Sequence, residues 1–241
     1  MKNNKNPIST SNILVVLLIA AAFGVGYLWN KVQTLEKGTN TTTQQAQNTN
    51  QPPEPTIPTT MDIVKPDANK DHWQGPKDAK VVMVEYTDYE CPFCNQFHPT
   101  PKRILGEYKN VAHVVRNFPL SFHPKAQDAA EAVECAADQR GNTAYFKFAD
   151  AVFEAMPSLE LSGLGDLAAK NGLNKAKLQQ CLDSNKYEQK VKDQLAEGTK
   201  AGVRATPTTV LYNVATGKTR VIEGALPYES VKQTLDEFLK G

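Results

Sequence analysis

The chain has 241 residues, room for one ordinary domain of about 150–200 residues with accessory segments, and this length argues against a second large domain. Its 27 Lys and Arg balance 26 Asp and Glu to a formal charge of +1, spread along the chain, so no electrostatic footprint for nucleic acid is present. Four cysteines are few for a disulfide scaffold, and two of them stand as Cys91-Pro92-Phe93-Cys94, a spacing suited to redox or metal chemistry.

No charge occurs from residue 13 to residue 29. The run Ile13-Leu14-Val15-Val16-Leu17-Leu18-Ile19, followed by Ala20, Ala21 and Ala22, satisfies its backbone only as a helix in lipid. Residues 1–37 therefore read as an uncleaved N-terminal transmembrane anchor, with Tyr27 and Trp29 at the far interface. The competing reading is a signal segment cleaved after the alanine cluster, which would release a soluble protein. Lys2 and Lys5 precede the run and Lys31 and Lys37 follow it, so charge alone sets orientation weakly. Residues 38–61 are Thr, Asn, Gln and Pro with almost no apolar side chain and are expected to form a disordered, flexible tether, extended by Pro52, Pro53, Pro55 and Pro58.

The folded domain is expected over 62–241. Val81-Val82-Met83-Val84-Glu85-Tyr86 reads as a continuous apolar strand, the pattern of a central strand covered on both faces. It runs straight into the cysteine pair. A helix is expected from Cys91, because Pro92 suits the first helical position and Phe93, Cys94, Phe97, Ile104 and Leu105 follow at near-helical spacing. Pro99 and Pro101 must bend or break it. Residues 111–118 read as a second strand. From about 124 to 201 the pattern turns helical, with stretches at 126–137, 143–155 and 175–182 punctuated by Gly141, Gly172 and Asn185. Strand signals return at Thr208-Thr209-Val210-Leu211-Tyr212. A short strand at 219–223 completes a hairpin around Thr216-Gly217, and 228–239 is an amphipathic closing helix. This order is that of an α/β thioredoxin-like core interrupted by an all-helical insertion.

A thiolate, not a thiol, attacks a disulfide, so a catalytic cysteine needs a local positive potential. With Cys91 at a helix N-cap, the unpaired amides of the first turn and the helix dipole point at its sulfur, while Cys94 lies one turn on and is less exposed. Cys91 is thereby expected to attack and Cys94 to resolve. Each unit of fall in the Cys91 pKa is worth about 1.4 kcal/mol to the thiolate and makes the disulfide form more oxidising. The competing reading is a metal knuckle completed by His98, Cys135 or His123. A zinc site of the usual kind wants a second closely spaced ligand pair, which Cys135 and Cys181 do not supply, so neither metal nor cofactor is expected.

Glu85 lies in the apolar strand six residues before Cys91. Desolvation is expected to raise its pKa and to let it pass protons to and from Cys94. The alternative is a wet strand end where Glu85 pairs with a lysine. A Pro at a strand start is tolerated, and a cis Thr206-Pro207 bond would turn the backbone against the site, although an X-Pro bond alone is far more often trans. Cys135 and Cys181 fall on inward helical faces and are expected to form a structural disulfide, the alternative being two buried free cysteines.

Taken together, Asp71 through Gly75, the run from Val81 to Cys94, Phe118-Pro119-Leu120, Glu134-Cys135-Ala136-Ala137-Asp138-Gln139 and Gly202-Val203-Arg204-Ala205-Thr206-Pro207-Thr208 resemble the DsbA-like thiol–disulfide oxidoreductase family over about 62–241. The resemblance implies a thioredoxin fold with helical insertion, a cis Pro207, an attacking Cys91, a resolving Cys94 and a buried acid at Glu85. The departure is Phe93, where the best-known member carries a histidine that helps stabilise the thiolate. The family acts outside the cytoplasm, which would put the catalytic domain on the periplasmic or outer side of the cell membrane with Lys2 and Lys5 inside. There it would donate its disulfide to reduced or unfolded secreted proteins and be reoxidised by a membrane quinone-linked partner. Substrate chains would lie extended against Thr206 and Pro207, with apolar contact from Pro92 and Phe93.

Two rivals stand beside this reading. One is the same fold run as an isomerase or reductase. Dimerisation would favour the isomerase, and only a tether precedes the core, so an oxidase acting as a monomer is expected. The other is a membrane-anchored binding module whose cysteines form an inert bridge.

Overall fold

Alternation along one buried strand sets the layers of the molecule. The structure is a computed structural model that describes residues 59–156 and 158–241; the expected anchor at 1–37 and nearly all of the expected tether lie outside the described residues. Strand β2 (Val81–Thr87) is buried at every position. Val81 and Met83 point to one face, where they pack with Phe97, Ile104, Leu211 and Leu235. Val82, Val84 and Tyr86 point to the other and meet Met61, Phe118 and Val203.

Five strands form the sheet: β1 (His72–Gln74), β2, β3 (Val111–Asn117), β4 (Thr208–Asn213) and β5 (Thr219–Glu223), in the order β1-β3-β2-β4-β5. Only β2 and β3 run parallel, with Val81 opposite Val111 and Glu85 opposite Val115. Their crossover is α1 (Pro92–Phe97) and α2 (Pro99–Glu107), which meet at His98. The one bent helix expected here is two, broken once: Pro101 falls in the first turn of α2, where an amide has no helical partner to lose.

The insertion follows β3 as α3 (Ala126–Ala155), a short 3₁₀ turn (Leu161–Gly163), α4 (Leu164–Lys170), α5 (Lys175–Asp183) and α6 (Glu188–Ala201). Helix α3 is broken at Arg140 and Gly141, the latter at φ 65°, ψ −157°. Alanines and aromatics of α3 pack with Leu164, Leu178 and Val191 into a cluster that also takes in Tyr89, Cys91 and Cys94. Helix α7 (Tyr228–Lys240) closes the α1/α2 face with Val231 and Leu235. The thioredoxin-like α/β fold with a helical insertion is thus the observed architecture. Among the described residues no helix is long and apolar enough to cross a membrane. Strand β1 escaped the sequence reading because three residues carry no periodicity, and α4 and α6 were hidden within one helical block.

Cys135 on α3 and Cys181 on α5 are joined by a disulfide across 46 residues of sequence. Closing a loop of that length is worth about 4 kcal/mol in the chain-entropy account. Removing both sulfurs as Cys135→Ala with Cys181→Ala is expected to lower unfolding free energy by up to that amount in denaturant titration. Gentle reduction that opens only Cys91–Cys94 should release two thiols; four, with no loss of thermal stability, would contradict the bond.

Gly198 sets how closely α6 approaches the sheet. A Cβ there would stand 2.8 Å from the Tyr86 ring and 2.9 Å from Phe118, both buried. Ala is favoured over Gly in a helix by about 1 kcal/mol, whereas overpacking a filled core costs about 1–3 kcal/mol. Gly198→Ala is therefore expected to destabilise the protein despite its better helix propensity, and an unchanged denaturation midpoint would refute the close approach.

Candidate active site

The cysteine pair sits where the chain leaves β2 and turns into α1. Cys91 is the N-cap, at φ −74° and ψ 121°, and Pro92 is the first helical residue, where its missing N–H costs nothing. The backbone N–H groups of Phe93 and Cys94 are then the donors of the turn directed at the Cys91 sulfur. Both thiols are free and buried, Cys94 completely.

The two sulfurs are driven in opposite directions. Cys91 is brought down to about 5, first by the side-chain hydrogen bond from Cys94, against the cost of burial, with help from the Cys94 amide, Thr206 and the Phe93 amide. Cys94 is pushed far above the usual thiol range, first by burial and then by its hydrogen bond and charge interaction with Cys91. The Asp88 N–H, 3.4 Å from the Cys94 sulfur, works weakly the other way. One proton therefore belongs to Cys94, and Cys91 carries the charge.

Thr206 and Pro207 face this pair across a cis peptide bond. As a thiol, Cys91 donates to the Thr206 carbonyl oxygen at 3.5 Å. Once it ionises it can only accept, and the Thr206 hydroxyl, buried without another partner, is the donor beside it. Pro92 and Phe93 are exposed, Phe93 by 61%. The structure thus brings Cys91, Cys94, Pro92, Phe93, Thr206 and Pro207 to one place. A groove of about 520 Å³ lies beside it, lined by Tyr89, Cys91, Pro92, Gln96, Lys125 and Met156.

Glu85 requires a correction. It is buried, as its strand position implied, but its partner is not a lysine, and its carboxyl lies below the ordinary value rather than above it. Burial alone raises it. His113, on β3, overcomes that with a 2.9 Å bond from Nε2 to Glu85 Oε2 and its nearby charge. The pairing follows from strand periodicity: Val111, His113 and Val115 share the face that carries Val81, Met83 and Glu85.

Sequence reasoning missed Asp88, whose carboxylate is buried in the loop before Cys91. It accepts from the Glu90 N–H and the Leu120 N–H, each at 2.8 Å, and from His123 Nδ1 at 2.8 Å. This ties the cysteine loop to the chain after β3. Tyr89 donates its hydroxyl to the Tyr145 hydroxyl at 3.1 Å, and Tyr145 stacks on His72 at 3.6 Å between ring centres. His72 in turn meets Glu134 at 2.7 Å, and Lys190 meets the same oxygen at 2.7 Å. A short polar residue two before a loop amide is the local signal that marked Asp88; the Glu134 network carries none. Of the further ligands weighed for a metal knuckle, His98 bonds Asp150, His123 bonds Asp88 and Cys135 is in the disulfide.

Iodoacetamide labelling of Cys91 in the reduced protein is expected to titrate at about pH 5, against about 8.5 for an ordinary thiol; a midpoint at or above neutrality would refute the assignment. The folded value lies below the unfolded one, so the thiolate's contribution to stability is complete above the unfolded pKa and lost as pH falls through about 5. The melting temperature of the reduced form relative to the oxidised form is expected to fall across that window.

A family model described as Thioredoxin matches residues 67–237. DsbA2 of Pseudomonas aeruginosa superposes with a TM-score of 0.61 at 27% identity, covering 70% of this chain and 93% of that one. Oxidised BdbD of Bacillus subtilis gives 0.63 at 26% identity, covering 76% and 99%. Among curated relatives, the Na(+)/H(+) antiporter NhaA 3 of Salinispora tropica is 33% identical over 150 residues, 61% of this chain but 22% of that protein. The chain spans about a fifth of the length of that relative. On the family match over most of its described length, its C-P-x-C at a helix start and these structural likenesses, the chain belongs to the DsbA-like thiol–disulfide oxidoreductase family of the thioredoxin superfamily.

Proposed function

We propose that the protein is an extracytoplasmic disulfide oxidase, which introduces disulfides into reduced or unfolded secreted proteins through Cys91 and Cys94. The observation that carries this reading is the opposed state of the two sulfurs, Cys91 at about 5 and Cys94 far above the thiol range. A stabilised Cys91 thiolate favours the reduced pair and so makes the disulfide a better oxidant.

The exchange runs in two displacements. A substrate thiolate attacks the Cys91 sulfur of the Cys91–Cys94 disulfide, and the bond breaks toward Cys94, which leaves and takes up a proton. A second substrate thiolate then attacks the substrate sulfur of the mixed disulfide and expels Cys91. Two electrons pass from the substrate dithiol to the cysteine pair, and the low pKa of Cys91 makes it a good leaving group. Thr206 and Pro207 would hold the substrate backbone beside Cys91, and Pro92 and Phe93 would give its side chains an apolar surface. A membrane quinone-linked partner would remove the two electrons, the domain working as a monomer at the end of its tether on the outer side of the membrane. The Cys135–Cys181 disulfide supports such a compartment, and the uncharged run at residues 13–29 supports the anchor.

Glu85 is the proposed proton carrier for Cys94. In the mixed disulfide Cys91 no longer bears a charge, so the part of the Cys94 rise owed to Cys91 lapses and proton transfer becomes easier. Starting from the reduced protein and oxidised glutathione, Glu85→Gln is expected to leave attack by Cys91 nearly unchanged. It should slow the later attack by Cys94 by roughly 10²-fold, the size of a general-base contribution. Equal loss in both steps would refute the role. Cys94→Ser should trap a substrate-linked mixed disulfide and Cys91→Ser should trap none. A reduction potential of the pair below that of the glutathione pool would favour the reductase instead. The anchor is tested by the mass of the mature protein, since a chain starting near Phe23 would mean cleavage.

A further inference from the structure

We infer that Asp88 is the positioning residue of the resolving sulfur: its buried carboxylate locks the loop between β2 and α1 so that its own backbone N–H stays aimed at Cys94 Sγ, where negative charge gathers as the Cys91–Cys94 bond opens or closes. The inference rests on the proposed division of labour, Cys91 attacking and Cys94 resolving, and adds the group that meets the charge on Cys94.

Asp88 touches both cysteines through its backbone. Its N–H lies 3.4 Å from Cys94 Sγ, and its carbonyl oxygen accepts the Cys91 N–H at 3.1 Å. The residue stands just beyond the last pair of the β2–β3 ladder, Thr87 opposite Asn117, so no ladder fixes it. Its side chain supplies the anchors instead. Oδ1 takes the Glu90 N–H, and Oδ2 takes the Leu120 N–H and His123 Nδ1, each at 2.8 Å. The first bond closes the loop on itself, and the other two tie it to the chain after β3. The carboxylate is fully shielded from solvent, so water does not compete for these bonds. An ionised carboxylate has acceptor sites for all of them, whereas an amide in its place has one oxygen and would turn its NH2 toward a backbone N–H.

The chemistry at Cys94 needs such a donor. When a substrate thiolate attacks Cys91 Sγ, a new sulfur–sulfur bond forms there and the Cys91–Cys94 bond breaks, its electron pair leaving on Cys94 Sγ. In the reverse displacement Cys94, having given up its proton, returns that pair to Cys91 Sγ and expels the substrate thiolate. Both transition states carry part of a negative charge on a sulfur buried from water, where a fixed N–H is most effective. A bond that is weak to a neutral thiol strengthens once the sulfur is charged. The thiol and the disulfide on either side carry no charge at Cys94. Asp88 is therefore expected to act on the rates in both directions and to leave the equilibrium of the couple alone.

The test is a set of single-step rates on the full chain with glutathione, read after acid quench, together with the glutathione equilibrium of the Cys91–Cys94 couple. Asp88→Asn is expected to slow roughly tenfold both the expulsion of glutathione by Cys94 and the opening of the disulfide by reduced glutathione, less than the loss of about 10²–10³ for an oxyanion donor because a sulfur anion is large and diffuse. Attack of Cys91 on oxidised glutathione and the reduction potential should not move. His123→Ala removes one of the three bonds to the carboxylate and should slow the same steps by less. His123→Asn, whose amide N–H stands where Nδ1 does, should restore them. An unchanged Cys94 step, an equal loss in Cys91 attack, or a potential shifted by as much as the rates would overturn the inference. A loop that is only loosened would slow closing alone and so shift the potential. If Asp88→Asn does not fold, equal Cys94 rates in His123→Ala and His123→Asn overturn the inference by themselves. Should Cys91→Ser rather than Cys94→Ser trap the glutathione adduct, the division of labour fails instead, so the two failures are told apart.

Discussion

A carboxylate brought into the protein interior must have its polar demand met there, and among the described residues three of the four buried ones are met by a histidine, the exception being Glu131, which accepts from Gln127. Glu85 has His113, Asp88 has His123 and Glu134 has His72, with Lys190 on the last as well. The fourth histidine of the chain, His98, holds the half-exposed Asp150. Breaking a buried pair by removing one partner costs about 3–5 kcal/mol, so these contacts fix position as well as charge. The first couples β2 to β3 across the parallel ladder. The second closes the loop before Cys91 onto the chain after β3, and the third docks β1 against α3 and α6.

The difference between the two sulfurs follows from where those contacts hold the backbone. Cys91 is kept at the start of α1, with amides and Thr206 around it, while Cys94 is turned one step inward among apolar side chains of the insertion. The insertion is therefore part of the electrostatics of the site. It dries the side on which Cys94 lies, through Ala149, Phe153 and their neighbours, which pack with Tyr89 from the loop before Cys91, and a dry thiol does not ionise readily. The thioredoxin-like sheet supplies the helix start, and the added helices supply the contrast.

What could be read from the sequence was what local periodicity and spacing encode. The unbroken apolar run at β2, the proline just inside α1, the helical block and the closing hairpin and helix are all local signals. The site residues legible in the same way were those adjacent in sequence, Cys91 to Cys94, together with Thr206 and Pro207 by their place before a strand. Glu85 could be found, but not its charge state, because His113 lies 28 residues away on the neighbouring strand. A pKa set by a pairing between strands is a property of register, which no window of sequence contains. The same holds for Asp88 with His123 and for Tyr89 with Tyr145, whose partners arrive from other elements. The three-residue β1 is defined only by the strand it lies against.

The disulfide between α3 and α5 gives the chain a history. A newly made copy has four thiols, and the bond between Cys135 and Cys181 exists only after an oxidant has removed two electrons from that pair. The cluster that this bond braces is the one that encloses Cys91 and Cys94. Maturation of the domain thus includes a redox step: the helices around Cys91 and Cys94 gain their covalent brace only after an oxidant has acted on the chain.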